Sequence, residues 1–133
     1  MLREKHRSPV KRFAKELSCV FPNLKPDPDL MPFMLIEMGL DPILESFGVP
    51  VVWGMSESDL AGNKNRAYWK SMGSVYNHAS PPELIIRLEH NDSGHLQKTI
   101  EKIKVLVLEH EGICNELRMG VLRGGNPNVA IKS

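Results

Sequence analysis

The sequence predicts a single, mainly β domain. Three stretches carry this prediction, at positions 47–54, 83–90 and 99–122. Each contains a short run of valine, isoleucine or leucine with glycine or proline close by, which is typical of strands bounded by turns. The chain has 133 residues, of which 41% are apolar and 25% are charged. Such a chain can bury one hydrophobic core, so one globular domain is expected.

The first stretch joins a short helix to a strand. Residues 41–47 predict a helix with Asp41 as its N-cap, and Gly48 is the glycine expected to end it. The valines and the tryptophan that follow, up to position 54, favour a pleated and half-buried surface. Pro50 suits the start or the edge of a sheet, because proline cannot donate a hydrogen bond to a neighbouring strand.

Residues 31–47 are apolar and rich in methionine. Their spacing predicts one or two helices, with breaks near Gly39 and Pro42. The methionines are interpreted as flexible core side chains that fill gaps, and not as ligands of a metal.

Residues 1–30 are predicted to form an arm that precedes the domain. The chain has a net charge of only +1, but six basic residues cluster near its start: Arg3, Lys5, Arg7, Lys11, Arg12 and Lys15. Residues 9–21 can form a short amphipathic helix, and three prolines after it predict an extended linker. The cluster is either a solvated tail or an arm that docks on an acidic partner or on nucleic acid, although no aromatic platform for bases accompanies it.

The clearest strand of the chain is predicted at 83–90. Leu84, Ile86 and Leu88 would face one side of a sheet, and Arg87 would face the other. Two shorter strand candidates precede it, at 68–72 and 75–76.

The segment 93–120 has two interpretations. It can form two strands, 99–108 and 115–122, on either side of a turn that contains Gly112. It can also form one long helix, 93–119, because its apolar residues fit a helical stripe equally well. A glycine in the middle argues against an unbroken helix. The mainly β fold is therefore the first choice, and an α+β fold with a long C-terminal helix is the alternative.

The chain is expected to divide into an arm and proline-rich linker (1–30), one globular domain (31–123) and a C-terminal tail (124–133). Cys19 and Cys114 are too few for a disulfide framework, and no signal peptide is evident. No apolar run approaches the roughly 18 residues that a membrane span needs. We expect a soluble protein that is made in a reducing cytoplasm and does not contact a membrane.

Candidate chemical groups are scattered along the chain. His90 and His95 lie five positions apart, and His110 and Cys114 would share one face of a helix. Zinc sites usually need tighter ligand pairs, so packing is the expected role of all four side chains. The chain lacks a phosphate-binding loop and a convergent set of acid, base and nucleophile. We therefore predict that it is not an enzyme and uses neither a metal nor a cofactor.

Three motifs follow one another along the chain. The first is Phe47-Gly48-Val49-Pro50-Val51-Val52-Trp53-Gly54, the second is Pro82-Glu83-Leu84-Ile85-Ile86-Arg87 with Asp92, and the third is Glu111-Gly112 between two apolar runs. Together, over roughly residues 33–123, they resemble the head–tail joining (head-completion) proteins of lambda-like tailed phages. The first motif is similar to that family's Phe-Gly-x-x-Val-x-Trp-Gly pattern. Gln97-Lys98 stands where the family has Gly-Asp.

The resemblance implies a small β-barrel or sandwich subunit with short N-terminal helices. Such subunits form a homo-oligomeric ring in the neck of the virion, which is assembled in the host cytoplasm. The ring lies between a portal or adaptor protein and a tail terminator or tube protein, lets DNA pass without sequence recognition and performs no chemistry.

Basic and aromatic side chains are the expected interface residues of such a ring. The candidates are Arg3, Lys5, Arg7, Lys11, Arg12, Trp53, Trp69, Arg118 and Arg123. Acidic residues between 83 and 116 could contact the basic arm of a neighbouring subunit. The alternative function is a small nucleic-acid-binding or regulatory α+β domain.

Overall fold

Strands β1–β6 and helices α1 and α2 make up the part of the chain that the structure describes. This computed structural model describes residues 11–25, 30–49, 51–52, 64–71, 73, 80–117 and 121–123. The strands are β1 (Lys11–Val20), β2 (Val51–Val52), β3 (Arg66–Ser71), β4 (Glu83–His90), β5 (Ile113–Leu117) and β6 (Val121–Arg123). Helix α1 is Met31–Leu44 and continues as a 3₁₀ turn, Glu45–Phe47, while helix α2 is Ser93–Glu109.

The strands form one open sheet in the order β2-β3-β4-β1-β5. Its main part, β3-β4-β1-β5, is antiparallel throughout. The short β2 runs parallel to β3, and the short β6 pairs with the start of β1 beyond the end of β5. Strand β1 therefore lies in the middle of the sheet, with β4 on one side and β5 and β6 on the other.

Every second side chain of the central strands points to the same face of the sheet, and this face is apolar and covered by the helices. Leu17 of β1 lies opposite Ile86 of β4, and Cys19 lies opposite Leu84. All four side chains have no exposed surface. They belong to the main hydrophobic core, which also contains the inward residues of both helices. Helix α2 packs against β1, β4 and β5, and α1 packs against α2, so both helices lie on one face of the sheet.

Each helix buries one stripe of apolar residues. The buried stripe of α1 is Phe33, Ile36, Leu40 and Leu44, and that of α2 is Leu96, Ile100, Ile103 and Val107. Gly39 of α1 approaches Leu106 of α2, and Ser46 after α1 reaches His95 near the start of α2. The earlier residue, Gly39, therefore contacts a late residue of α2, and the later residue, Ser46, contacts an early one. The two helices run antiparallel.

The prediction of a mainly β fold is wrong, and so is the small β-barrel or sandwich. The described chain is an α+β domain: a four-stranded antiparallel open sheet packed with two helices. The error lies in the run at 99–108, which is part of α2. Its buried residues follow helical spacing, whereas Val105 and Leu108 are 58% and 73% exposed. The α+β alternative has the observed class, but its helix ends at Glu109 and not at 119.

The amphipathic helix predicted at 9–21 is also wrong, because Lys11–Val20 form β1. Phe13 and Leu17 fit a helical spacing, but both also fit the two-residue period of a strand. In the structure Leu17, Cys19 and Phe21 share the core-facing side. A central strand thus lies within the segment assigned to the arm.

Some local predictions are confirmed and others are wrong. Strand β4 coincides with the predicted 83–90, and β3 covers most of 68–72. The single strand predicted at 115–122 is wrong, because this stretch contains parts of two strands, β5 and β6. Residues 31–47 are helical as predicted, but the breaks expected near Gly39 and Pro42 do not occur, and Pro42 lies inside α1. Gly48 ends this segment with a φ of 66°, as predicted, but Asp41 lies within α1 and is not an N-cap. The turn at Gly112 exists, although it joins a helix to a strand. The strand candidate at 75–76 lies outside the described residues.

Candidate interaction surface

His90, His95, His110 and Cys114 were expected to pack and not to bind a metal. Among the described residues, no group of three or more histidine, cysteine, aspartate or glutamate side chains could hold a metal ion. The helical pairing of His110 with Cys114 is wrong, because α2 ends at Glu109 with His110 as its C-cap and Cys114 lies in β5. None of the described helices is long and apolar enough to cross a membrane.

His90 and His95 do meet, in a cluster of rings where β4 leads into α2. Their ring centroids are 4.8 Å apart, and the ring of Phe47 stacks on His95 at 5.2 Å. His90 Nδ1 accepts a hydrogen bond of 2.9 Å from the backbone N–H of Asp92, and His95 Nε2 lies 3.1 Å from Ser46 Oγ. These contacts position the end of α1 against the start of α2, so the cluster has a packing role.

Asp92 begins α2 as its N-cap. Its carboxylate accepts hydrogen bonds from the backbone N–H groups of His95 and Gly94, and these bonds lower the pKa of Asp92. A charged N-cap satisfies backbone donors that would otherwise have no partner within the helix. Asp92 was predicted only as part of a motif, although its position before an apolar stripe is a recognisable helix-start signal.

Of the predicted interface residues, Arg12 and Trp69 have described side chains, and both have partners within the subunit. Arg12 Nε lies 2.9 Å from Glu89 Oε1, and Arg87 contacts the other oxygen of the same carboxylate at 3.1 Å. The Glu89 side chain is only 5% exposed, so two guanidinium groups neutralise a buried charge.

Trp69 is a core residue. It is 7% exposed, packs edge-on against Phe33 at 5.1 Å, and donates a hydrogen bond of 2.8 Å from Nε1 to Glu37 Oε2. Trp69 was predicted as an interface residue, but its side chain lies in the main hydrophobic core of the subunit. Lys11 lies in β1 and Arg123 in β6, and their side chains are not described. Arg3, Lys5, Arg7, Trp53 and Arg118 lie outside the described residues.

The outer side of the helical layer is unusually apolar. Helix α1 and the residue before it present five large apolar side chains that are 45–62% exposed: Leu30, Met31, Met34, Leu35 and Met38. We call these five residues the α1 stripe. Positions 31, 34, 35 and 38 recur at helical spacing, on the side opposite the buried stripe. Sequence reasoning assigned the methionines to the core, because composition does not reveal which face of a helix is covered.

A shallow groove of about 380 Å³ lies on the same layer, along the outer side of α2. Its apolar lining is Ile43, Val105 and Leu106, and its charged lining is Glu101, Lys102 and Glu109. We call it the α2 groove. Large exposed apolar patches mark sites of contact with another protein, a membrane or a ligand.

Comparison of the chain with protein-family models, with curated proteins and with solved structures found no match.

Proposed function

We propose that this protein is a non-catalytic structural subunit that assembles with further copies of itself through the helical layer. The observation that carries the proposal is the α1 stripe, which lies exposed next to the α2 groove. Methionine is flexible and polarizable, so a methionine-rich stripe can adapt to the shape of a partner surface. A second copy of the chain is the occupant to which the proposal commits.

The stripe and the groove are different surfaces of one subunit. A contact between the stripe of one copy and the groove of the next is therefore heterologous, and such contacts form a ring when the rotation between subunits closes. Two pairs of opposite charge are available to this contact, although Glu101 and Glu109 also line the groove. The exposed residues Asp41 and Glu45, near the C-terminal end of α1, are acidic. They can meet Lys102 at the groove and Lys98 one turn earlier when the two helices run antiparallel.

The specific form of the proposal is a head–tail joining ring in the neck of a phage virion. Its partners would be a portal or adaptor protein on the head side and a tail terminator or tube protein on the tail side, with DNA passing through the channel. This form rests on the three sequence motifs alone, because the fold is not the barrel that the resemblance implies. Self-assembly rests on the exposed helical layer and does not depend on the resemblance.

Sedimentation of the purified protein over a range of concentrations tests the proposal. The wild type should form a ring-sized oligomer, and Met38→Glu should weaken association tenfold or more because it places a charge in the stripe. Ser93→Glu adds the same charge at the exposed start of α2 and should assemble as the wild type does. Circular dichroism shows whether each variant is folded.

A wild type that stays monomeric at every concentration would contradict self-assembly, and a closed dimer would contradict the ring. The alternative function, a nucleic-acid-binding or regulatory domain, was predicted together with an α+β fold. A monomer that binds DNA with a strong salt dependence would favour that alternative. Fold class alone does not decide between the two functions.

A further inference from the structure

The fold brings together two cysteines that lie far apart in the sequence. Cys19 of β1 and Cys114 of β5 are direct partners in the antiparallel register. The two cysteines are free, and their thiols are hydrogen-bonded to each other. Opposite residues of antiparallel strands have Cα atoms about 4.5 or 5.5 Å apart, and disulfides need about 4.4–6.8 Å. A bond between these two sulfurs is therefore compatible with the strand pairing.

The two thiols have different surroundings. Cys19 is completely buried, whereas Cys114 is half-buried on the last strand of the main sheet. The hydrogen bond from the Cys19 thiol lowers the pKa of Cys114, and the nearby Lys104 ammonium lowers it further. The same hydrogen bond and burial raise the pKa of Cys19 well above its usual value, as does the charge of Glu83. Cys114 is thus the accessible nucleophile, and Cys19 is the protected second thiol.

Lys104 is held near Cys114 by its neighbours. Its ammonium forms an ion pair with Glu116, two residues after Cys114, and lies 3.8 Å from Glu101. Glu116 is also paired with Lys15 of β1 at 3.0 Å. The cation is thereby positioned at the same corner of the fold as the accessible thiol.

We propose that Cys19 and Cys114 form a reversible dithiol–disulfide site that reacts with small disulfide oxidants such as oxidised glutathione. The inference goes beyond the proposed assembly and does not depend on it. It assigns a redox function to two residues that the sequence, by number alone, excluded from a disulfide framework.

The reaction balances in two exchange steps. The Cys114 thiolate attacks one sulfur of the oxidised glutathione, forms a mixed disulfide and releases one glutathione thiolate. Cys19 then loses its proton and attacks Cys114 Sγ, which forms the Cys19–Cys114 bond and releases the second glutathione thiolate. The protein loses two electrons and two protons, and the oxidant becomes two molecules of glutathione.

The bond would attach the outermost strand of the main sheet to the central strand. Among the described strands, β5 pairs only with β1. The crosslink would close a loop of nearly one hundred residues and so restrict the unfolded chain. We expect oxidation to raise the melting temperature by about 10 °C.

Intact-mass spectrometry of the reduced protein after incubation with excess oxidised glutathione tests the inference. The wild type should lose the mass of two hydrogen atoms, resist thiol alkylation and yield one peptide pair joined through Cys19 and Cys114. Cys19→Ser should instead stop at a mixed disulfide, with one glutathione bound to Cys114. Cys114→Ser should leave the buried Cys19 unmodified while the protein is folded.

Three results would overturn the inference: a wild type that keeps both thiols, one that retains bound glutathione, or one that forms only disulfides between chains. If Cys19→Ser fails to fold, Cys19→Ala replaces it, and the wild-type mass remains decisive.

The role of Lys104 is tested separately by the rate at which Cys114 is alkylated. Lys104→Met should slow alkylation of Cys114 severalfold, whereas the exposed Lys98→Met should leave the rate unchanged. Equal alkylation rates in the two variants would show that Lys104 does not activate Cys114.

Discussion

At the residue scale, Gly112 shows how tightly α2 is joined to β5. Its backbone N–H donates a hydrogen bond of 2.8 Å to the Val107 carbonyl. A Cβ atom at this position would lie 2.7 Å from two ring atoms of Phe21 and 2.8 Å from Val107 Cγ1. Phe21 is 1% exposed, so its ring has little room to move. Glycine is therefore required here by a close approach of the backbone to the core.

We expect Gly112→Ala to reduce the free energy of unfolding by about 1–3 kcal/mol, the usual penalty of overpacking. Urea denaturation measures it. The matched control is the same change in a Phe21→Leu background, where a smaller side chain leaves room for the methyl group. An equal penalty in both backgrounds would show that the Phe21 ring is not the cause.

Gly48 illustrates the opposite situation. It ends the 3₁₀ turn with φ at 66°, and a Cβ atom there would meet nothing within 4 Å. Glycine is required at this position only because of the backbone conformation. A signal of this kind is local, and it was read correctly from the sequence. The contact of Gly112 with Phe21 joins residues ninety-one positions apart, and no local pattern contains it.

At the element scale, α2 is the segment in which two interpretations competed. Residues 103–108 form a short apolar run that contains valine and lies near turn candidates, so a buried strand was the preferred prediction. The structure decides in favour of the helix because Ile103 and Val107 are buried in the core, while Val105, between them, is 58% exposed. In a strand all three would share one face.

This difference gives a direct test of α2. Ile103→Ala should lower the free energy of unfolding by about 2–5 kcal/mol, because it leaves a cavity in the core. In the unassembled subunit, Val105→Ala should change it by no more than about 0.5 kcal/mol, as expected for an exposed position. Thermal or urea denaturation of the two variants measures both. Similar losses at the two positions would support the strand interpretation and contradict the helix.

Strand β1 poses the same problem in the other direction. Phe13, Leu17 and Val20 fit a helical face, and the basic residues around them suggested an arm. Strand pairing with β4 and β5 shows the two-residue period of a strand. Leu17 and Cys19 both lie in the core, and Val20 lies on the opposite face. β1 is a central strand because it has partners on both sides.

At the scale of the whole molecule, one carboxylate joins three elements. Glu116 of β5 is paired with Lys104 of α2 and with Lys15 of β1, the latter at 3.0 Å. The hydrogen bonds from Lys104 and then Lys15 lower the pKa of Glu116. The hydrogen bond to Glu116 likewise raises the pKa of Lys104. The side chains are about one third exposed, at 31% for Glu116, so salt should weaken the network.

The direction of these shifts predicts how stability depends on pH. A carboxylate with a lowered pKa in the folded state stabilises the protein above its ordinary pKa of 4.5. That contribution is lost as the pH falls through the lowered value. We expect Glu116→Gln to remove this part of the acid sensitivity and to lower stability at neutral pH.

Melting temperatures of the wild type and Glu116→Gln, measured from neutral to acidic pH at low and high salt, test this prediction. Glu101→Gln is the control, because Glu101 lies farther from Lys104, at 3.8 Å on the surface of α2. Identical acid profiles for the wild type and Glu116→Gln would exclude a role of the network in stability.

The proposed assembly surface belongs to this scale as well. Each exposed methionine of α1 is ordinary when considered singly, and only the antiparallel arrangement of α1 and α2 on one face of the sheet places the stripe beside the groove. The proposed ring and the proposed disulfide site both depend on such tertiary proximity. Sequence motifs suggested a structural subunit, but they pointed to a barrel, and the helical layer that would form the contacts was not foreseen.

By itself, the sequence determined the elements whose signals are local. Strand β4, most of β3, the helical segment 31–47 and its end at Gly48 could be read from alternation, helical spacing and a glycine. Only the tertiary structure decided that β1 is central, that α2 is a helix and that Cys19 faces Cys114. The physical reason is that β1 finds its partners, β4 and β5, more than sixty residues further along the chain. Whether such a segment becomes a helix or a strand therefore depends on which of its side chains those distant partners bury.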